Sequence, residues 1–294
     1  MSQKIGFVGI GRMGANMARN LKDRGYTISS VNDINKDAAA ELAAELGCSH
    51  TEKLADVTES SDIIFTVITN DEAMRSIYFS DEDNLLMNAK GKTFVNCATL
   101  SPGIQQEVAK AAGDAGAGAL EGCMASSIPQ AREGKLYLMI GGKVELFDQM
   151  KPVLEDMSIN LKHIGEIGKA AEVKALVNMV MNINTAGLAE GLGLADSLGL
   201  DLEMVCDVFS QTGANSRVLE TDAEDMIARD HEAWFTAEHA AKDSGIAGSI
   251  AEEVGLTLPL NDATCAQFNK LVNDGKGDLD KSGVAELTFK GRHP

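Results

Sequence analysis

The chain has 294 residues, 44% hydrophobic and 24% charged, with 26 Lys+Arg against 44 Asp+Glu and a formal net charge of -18. That is enough chain for one large domain or, better, two, each with a real core, and the composition is that of an ordinary soluble globular protein. The acidic balance argues against nucleic acid or an anionic membrane as the main partner, while a small anionic substrate needs only local positive groups.

Cys48, Cys97, Cys123, Cys206 and Cys265 are scattered and form no CxxC. Neither a disulfide framework nor a metal site is expected, which fits a reducing cytoplasm. The opening Met1-Ser-Gln-Lys-Ile-Gly enters a strand at once, without a signal-peptide core, and no run of ~18 uncharged apolar residues predicts a membrane span.

A short apolar strand from Lys4 runs into Gly9-Ile10-Gly11-Arg12-Met13-Gly14, and an amphipathic helix follows to Gly25. Strand, glycine turn and helix in that order make a dinucleotide fingerprint. The first glycine permits the turn, the second lets backbone approach a pyrophosphate, and the third lets helix pack on strand. The helix N-terminus favours the phosphate charge. The second strand, Tyr26 to Val31, ends at Asn32-Asp33. Asp33 stands near the spacing of the acidic residue that bonds the adenosine ribose diol, which favours NAD over NADP. Asn32 is the alternative occupant of that position, and Lys36 is close enough to meet a 2′-phosphate.

Lys36 to Leu46 predicts a helix closed by Gly47. Asp62 to Ile68 is an apolar run without alternation, as for a strand covered on both faces. Its end at Ile68-Thr69 falls on the carboxyl edge of the sheet, where open α/β folds bind ligands. Thr93 to Ala98 predicts the next strand, and Pro102 starts a helix. Thr99 between them is either a cofactor contact or a helix cap. Ala117 to Cys123 reads as a strand leading to a loop with Ser126 and Ser127, which either hold a substrate carboxylate or satisfy turn backbone. Two more strands, Lys135 to Ile140 and Asn160 to Ile164, flank a helix from Val144 to Met157.

After Gly168 the strands stop. A helix from about Ala170 to Ser197 reaches ~40 Å at 1.5 Å per residue, and further helices run Leu202 to Gln211, Val218 to Arg229, Ala237 to Val254 and Asn261 to Asp274. The tail from Phe289 to Pro294 is expected to fray. Lys174 and Asn178 share one face of the long helix, four residues apart. Their neighbours Val173, Leu176, Val177, Met179, Val180 and Met181 predict a helix buried on several sides. Lys174 then either serves a pocket at the junction of the two architectures or snorkels to water. Arg217 is either a carboxylate partner or a surface arginine.

Several stretches together resemble the β-hydroxyacid dehydrogenase family. They are the fingerprint with its Met13-to-Ala18 continuation, Gly165-x-x-Gly168-x5-Lys174-x3-Asn178, Ala131-x-x-Gly134-x-Leu136-x-x-Met139-x-Gly141-Gly142, Lys242-Asp243, and Gly277-Asp278-x-Asp280-x-Ser282. The likeness spans nearly the whole chain in order. It implies an α/β protein with a Rossmann-type cofactor-binding domain at 1–164 and an all-α domain at 165–294, joined by a long helix and building homodimers or homotetramers. It implies NAD(P)-dependent interconversion of a small hydroxy acid and its semialdehyde. In that reading Lys174 is the general acid/base and Asn178 helps to fix the substrate. The cofactor is contacted by Gly9, Ile10, Gly11, Arg12, Met13, Gly14, Asn32, Asp33, Ile68, Thr69, Thr99 and Lys242. A half-desolvated lysine beside a cofactor suits that role, because burial lowers proton affinity toward neutrality.

The substrate loop departs from the family's Asp-x-Pro-Val-Ser-Gly-Gly. Here it reads Glu121-Gly-Cys-Met-Ala125-Ser126-Ser127, with Ala125 in place of the usual serine. Carboxylate binding moves to Ser126 or Ser127, or the substrate is not a standard one. An imine reductase of similar architecture is the second reading, but such enzymes usually replace the lysine that stands here as Lys174. A dinucleotide-binding module without turnover is the third.

Overall fold

The structure, a computed structural model, describes residues 3–292. Met1 and Ser2 of the expected strand opening, and His293 and Pro294 of the expected tail, lie outside the described residues. The chain divides into two compact units, Met1–Lys174 and Ala175–Pro294.

The first unit alternates strand and helix. In order come β1 (Lys4–Val8), α1 (Arg12–Asp23), β2 (Thr27–Asn32), α2 (Lys36–Leu46), β3 (Ser49–His50), α3 (Leu54–Ser60), β4 (Ile63–Thr66) and α4 (Asp71–Phe79). After them come β5 (Thr93–Asn96), α5 (Pro102–Asp114), β6 (Gly118–Met124), α6 (Ile128–Glu133), β7 (Leu136–Gly141), α7 (Val144–Asp156) and β8 (Ser158–Gly165). The sheet runs β3-β2-β1-β4-β5-β6-β7-β8 and is parallel except between β6 and β7. Ile63 and Phe65 pack with Phe7, Met17 and Leu120, whereas Ile64 packs with Tyr78, Phe94 and Val108. Successive residues of one strand thus serve two cores, which is why β4 reads as an unbroken apolar run. The strand order reverses at β1, which lies between β2 and β4, and such a reversal opens a crevice at the strands' carboxyl ends.

β3, α3, α4 and α6 are additions to the elements expected from the sequence. α4 has a local signal: Asn70 accepts from Ala73 N at 2.9 Å, and Asp71 and Glu72 occupy the first turn. β3 has only two residues, too few for any periodicity.

The helix α8 (Lys169–Ser197) contains residues of both units. The second unit continues with α9 (Leu202–Ser210), α10 (Arg217–Ala228), α11 (Ala237–Glu253) and α12 (Pro259–Leu271), then a π turn at Val272–Lys276 and a 3-10 turn at Lys281–Leu287. Its core joins Leu192, Met226, Phe268, Leu271 and Phe289. Inside it Lys281 is ion-paired to Asp222, which also accepts from Thr185 Oγ1 at 3.0 Å. Asp280 accepts from Trp234 N, Phe235 N and Ser282 N at 2.9–3.0 Å. The Gly277-to-Ser282 motif is therefore a staple between two segments.

Two expectations are corrected. The tail does not fray before residue 293: Phe289 is buried, and Arg292 lies 3.9 Å over its ring while donating to Met226 O at 2.6 Å. Nor is the packed side of α8 wholly apolar. Its buried stripe contains Lys174, Asn178, Asn182 and Thr185, while Leu176, Val180 and Leu194 are 52%, 51% and 63% exposed. Asn178, Asn182 and Thr185 face in toward hydrogen-bond partners, beside the buried Leu188, Ala189 and Leu192.

Candidate active site

The glycine turn between β1 and α1 is cut to fit a ligand. Gly9 has φ +84°, and a Cβ there would meet Val67 O at 2.3 Å. A Cβ at Gly14 would meet Gly9 O at 2.1 Å, so these two glycines are required by the protein's own backbone. A Cβ at Gly11 would meet nothing within 4 Å. That glycine keeps space clear outside the protein, as the approach of a pyrophosphate requires. Gly11 precedes α1 without a side-chain cap, and no acidic residue stands in the first turn. The N–H groups there are suited to an anion. These residues fit a dinucleotide.

Asp33 closes the turn from the side. Its Oδ2 accepts from Ile10 N and its Oδ1 from Asn35 N, both at 2.8 Å. Asn32 is turned elsewhere and donates to Thr51 O at 2.8 Å, and Lys36 pairs with Glu52 at 2.8 Å. Of the two candidates for the ribose position, Asp33 is the one joined to the glycine turn.

Ile68 and Thr69 follow β4 at the carboxyl edge, Thr69 exposed. Thr99 follows β5, and the cap of α5 is not Thr99 but Ser101, which accepts from Ile104 N at 3.4 Å. Ser101 is in turn held by Asp71, whose carboxylate accepts Ser101 N at 3.0 Å and Ser101 Oγ at 2.5 Å. One carboxylate thereby ties the loops that bear Thr69 and Thr99. Below them Asn96 Oδ1 accepts from Thr66 and Tyr78 at 2.8 and 2.9 Å, a buried network that stiffens the strand ends.

Ser126 and Ser127 follow β6. Ser126 Oγ accepts from Tyr137 N at 2.9 Å and donates to Ala125 O at 2.7 Å, and Ser127 Oγ donates to Gln130 Oε1. Each hydroxyl shapes the loop.

Lys174 is 8% exposed and does not snorkel. The start of its helix is held by a residue that the sequence reading passed over. Glu121 on β6 is wholly buried, with its carboxylate on the N–H groups of Gly168 and Ala171. Burial pushes its carboxyl up, against the pull of the N–H groups of Gly168, Ala171 and Ala170.

In the second unit Asn178 Nδ2 donates to Asp243 Oδ2, and Lys242 Nζ lies 2.6 Å from Asp243 Oδ1. Asp243 is 1% exposed, so what looks in sequence like a solvated Lys-Asp pair is a buried bridge between a candidate catalytic residue and a candidate cofactor residue. Asn182 extends the network by donating to Ala240 O and Ser244 Oγ, both at 3.0 Å. His239, nearby on α11, is pushed down by burial and by the ammonium of Lys242. Arg217 is exposed at the start of α10, a surface arginine.

Known proteins align over this whole arrangement. Residues 4–165 match the model for the NAD binding domain of 6-phosphogluconate dehydrogenase. Residues 168–288 match the one described as NAD-binding of NADP-dependent 3-hydroxyisobutyrate dehydrogenase. The chain is 31% identical to 2-hydroxy-3-oxopropionate reductase of Escherichia coli, over 96% of each protein. It is 29% identical to the mitochondrial 3-hydroxyisobutyrate dehydrogenase of Drosophila melanogaster, over 98% of this chain and 90% of that one. Among solved structures, Mycobacterium tuberculosis 3-hydroxyisobutyrate dehydrogenase with L-serine superposes with a TM-score of 0.88 at 26% identity, over 98% of this chain and 99% of that one. With the two family models covering residues 4–165 and 168–288 and a relative 31% identical over 96% of each protein, the chain belongs to the β-hydroxyacid dehydrogenase family.

Proposed function

We propose that this protein interconverts a small 3-hydroxy acid and its semialdehyde with NAD(P), Lys174 acting as general acid/base. The observation that supports this most is a lysine kept 8% exposed in the same compact unit as the glycine cradle. Burying an ammonium-forming group is costly, and a buried titratable group beside a ligand cradle is a candidate for proton transfer. The bound nicotinamide supplies the hydride acceptor or donor. In oxidation Lys174 Nζ, neutral, takes the hydroxyl proton as the C–H hydrogen leaves as hydride and the carbonyl forms. In reduction the ammonium returns that proton to the oxygen and stabilises its developing charge.

Asn178, its amide oriented by Asp243, helps to hold the substrate, and Lys242 reaches the cofactor. Ser126 and Ser127 take the substrate carboxylate in place of the serine that is Ala125 here. Gly9, Ile10, Gly11, Arg12, Met13 and Gly14 cradle the pyrophosphate, and Ile68, Thr69 and Thr99 border the nicotinamide side. NAD is the preferred cofactor, since Asp33 at the diol position repels a 2′-phosphate. The lysine weighs against imine reduction and against a binding module without turnover.

The protein works in the cytoplasm as a homodimer or homotetramer. Support for assembly comes from a cavity of about 330 Å³ lined by Gly191, Leu194, Leu198, Met204, Val208 and Phe209, with Leu194 and Leu198 63% and 66% exposed. Exposed apolar side chains gathered on one face are what a second copy would cover.

The test is NADH- and NADPH-linked assay of 3-hydroxyisobutyrate, L-threonate, L-serine and tartronate semialdehyde. Turnover of a panel member with NAD favoured is expected. Tight NADH binding without turnover of any member would count against the reading.

A further inference from the structure

A carboxylate with no access to water must meet its hydrogen-bonding capacity within the protein. Glu121 does so on one group of donors. Oε1 accepts from Gly168 N, and Oε2 accepts from Ala171 N at 2.9 Å, 47 and 50 residues away in sequence. These are N–H groups at the first turn of α8, which the helix itself cannot satisfy. The surroundings are trimmed to admit the carboxylate. Gly141 lies opposite Glu121 in the β6–β7 pairing, and a Cβ there would stand 2.6 Å from Glu121 Oε2. Gly168 has φ +97°, and a Cβ on it would meet Gln106 Nε2 at 2.6 Å. The turn that begins α8 is thus fixed by a central strand, its neighbour and α5. Lys174 follows Ala171 by three residues, about 4.5 Å further along the axis, within the same compact unit.

We propose that Glu121 is a positioning residue for the reaction: its carboxylate clamps the first turn of α8 to β6 and so fixes the height and rotation of Lys174 over the cofactor-binding sheet. The proposal rests on the reading of Lys174 as the proton-transfer group. A carboxylate suits this clamp because it offers two acceptor oxygens to a fan of donors. Glutamine would turn an NH2 toward N–H groups, and aspartate would fall short by about 1.5 Å, one C–C bond.

The test is a double-mutant cycle of Glu121→Gln and Lys174→Ala, using the panel substrate that the wild type turns over fastest. NADH dissociation constants are read by fluorescence, and Tm is recorded for each protein. Glu121→Gln is expected to lower kcat about 10-fold to 100-fold, the scale of a 1 Å misplacement, with KM and NADH affinity within about threefold. In the Lys174→Ala background the same change should cost almost nothing, because residues that act as a unit are non-additive. Glu121→Asp, which keeps the charge but falls short of the N–H groups, should lose kcat as well with KM little changed. Should Glu121→Gln fail to fold, Gly141→Ala crowds the carboxylate from the other side and should show the same loss of kcat. Wild-type kcat in Glu121→Gln, or an equal fold-loss with and without Lys174, would overturn the proposal. A Lys174→Ala enzyme as fast as wild type would overturn the underlying reading instead, whatever Glu121 does.

Discussion

Asp33 faces two backbone N–H groups, one of them from the glycine turn itself, and its charge is set where an adenosine ribose is expected. Asp33→Asn keeps the shape and removes the charge. It should lower the NAD-to-NADP ratio of kcat/KM about tenfold, a change of about 1.4 kcal/mol, measured by steady-state assay with both cofactors. An unchanged ratio would assign cofactor choice to another residue. Asp33 was legible because a fixed spacing from the glycines reports it. Glu121 and Asp243 were not, because burial decides their roles and local sequence does not contain it. Glu121 meets partners 47 and 50 residues away, and Asp243 meets Asn178 from another helix. The signals that could have found them are an acidic residue inside an apolar strand and a charged pair among alanines.

At the scale of elements, α10 carries a carboxylate in an acidic setting. Burial first, then the charges of Asp280, Asp222, Asp230 and Glu224, push the Asp225 carboxyl up from 3.8 to about 6. The folded state therefore holds this proton more tightly than the unfolded chain, and the stability it contributes is present below pH 3.8 and lost as pH rises through about 6. Asp225→Asn should raise Tm by on the order of 2 °C at pH 7.5 and leave it unchanged near pH 3.5, in thermal melts at the two pH values. A rise of equal size at both would point to packing instead of charge. The Lys281–Asp222 pair, 9% and 3% exposed at the side chains, is the opposite case. Lys281→Ala leaves a buried carboxylate unpaired and should cost about 3–5 kcal/mol in denaturant unfolding of the second unit. Apart from α3, α4 and α6, helix positions were readable from periodicity, but the polarity of α8 was not. Lys174, Asn178, Asn182 and Thr185 face inward while Leu176, Val180 and Leu194 face out, and an apolar residue in a helix does not say whether its own core or another copy covers it.

For the whole molecule, a formal net charge of -18 means self-repulsion that salt screens, so Tm should climb as ionic strength rises from about 0.01 to 0.5 M. Among the described residues no helix is long and apolar enough to cross a membrane. The exposed apolar face around Leu194, Leu198 and Met204 predicts a mass above one chain by light scattering, reduced in Leu194→Asp. A monomeric wild type would leave that face unexplained. The architecture of the first unit could be read almost strand by strand, since parallel strands covered on both faces announce themselves as short apolar runs between glycines. The proposed reaction turns on the lysine. Lys174→Ala should lower kcat/KM by about 10²–10⁴-fold, the range of general acid–base catalysis, while NADH binds as in wild type by fluorescence titration. Turnover undiminished in that variant would contradict the account and move the chemistry elsewhere.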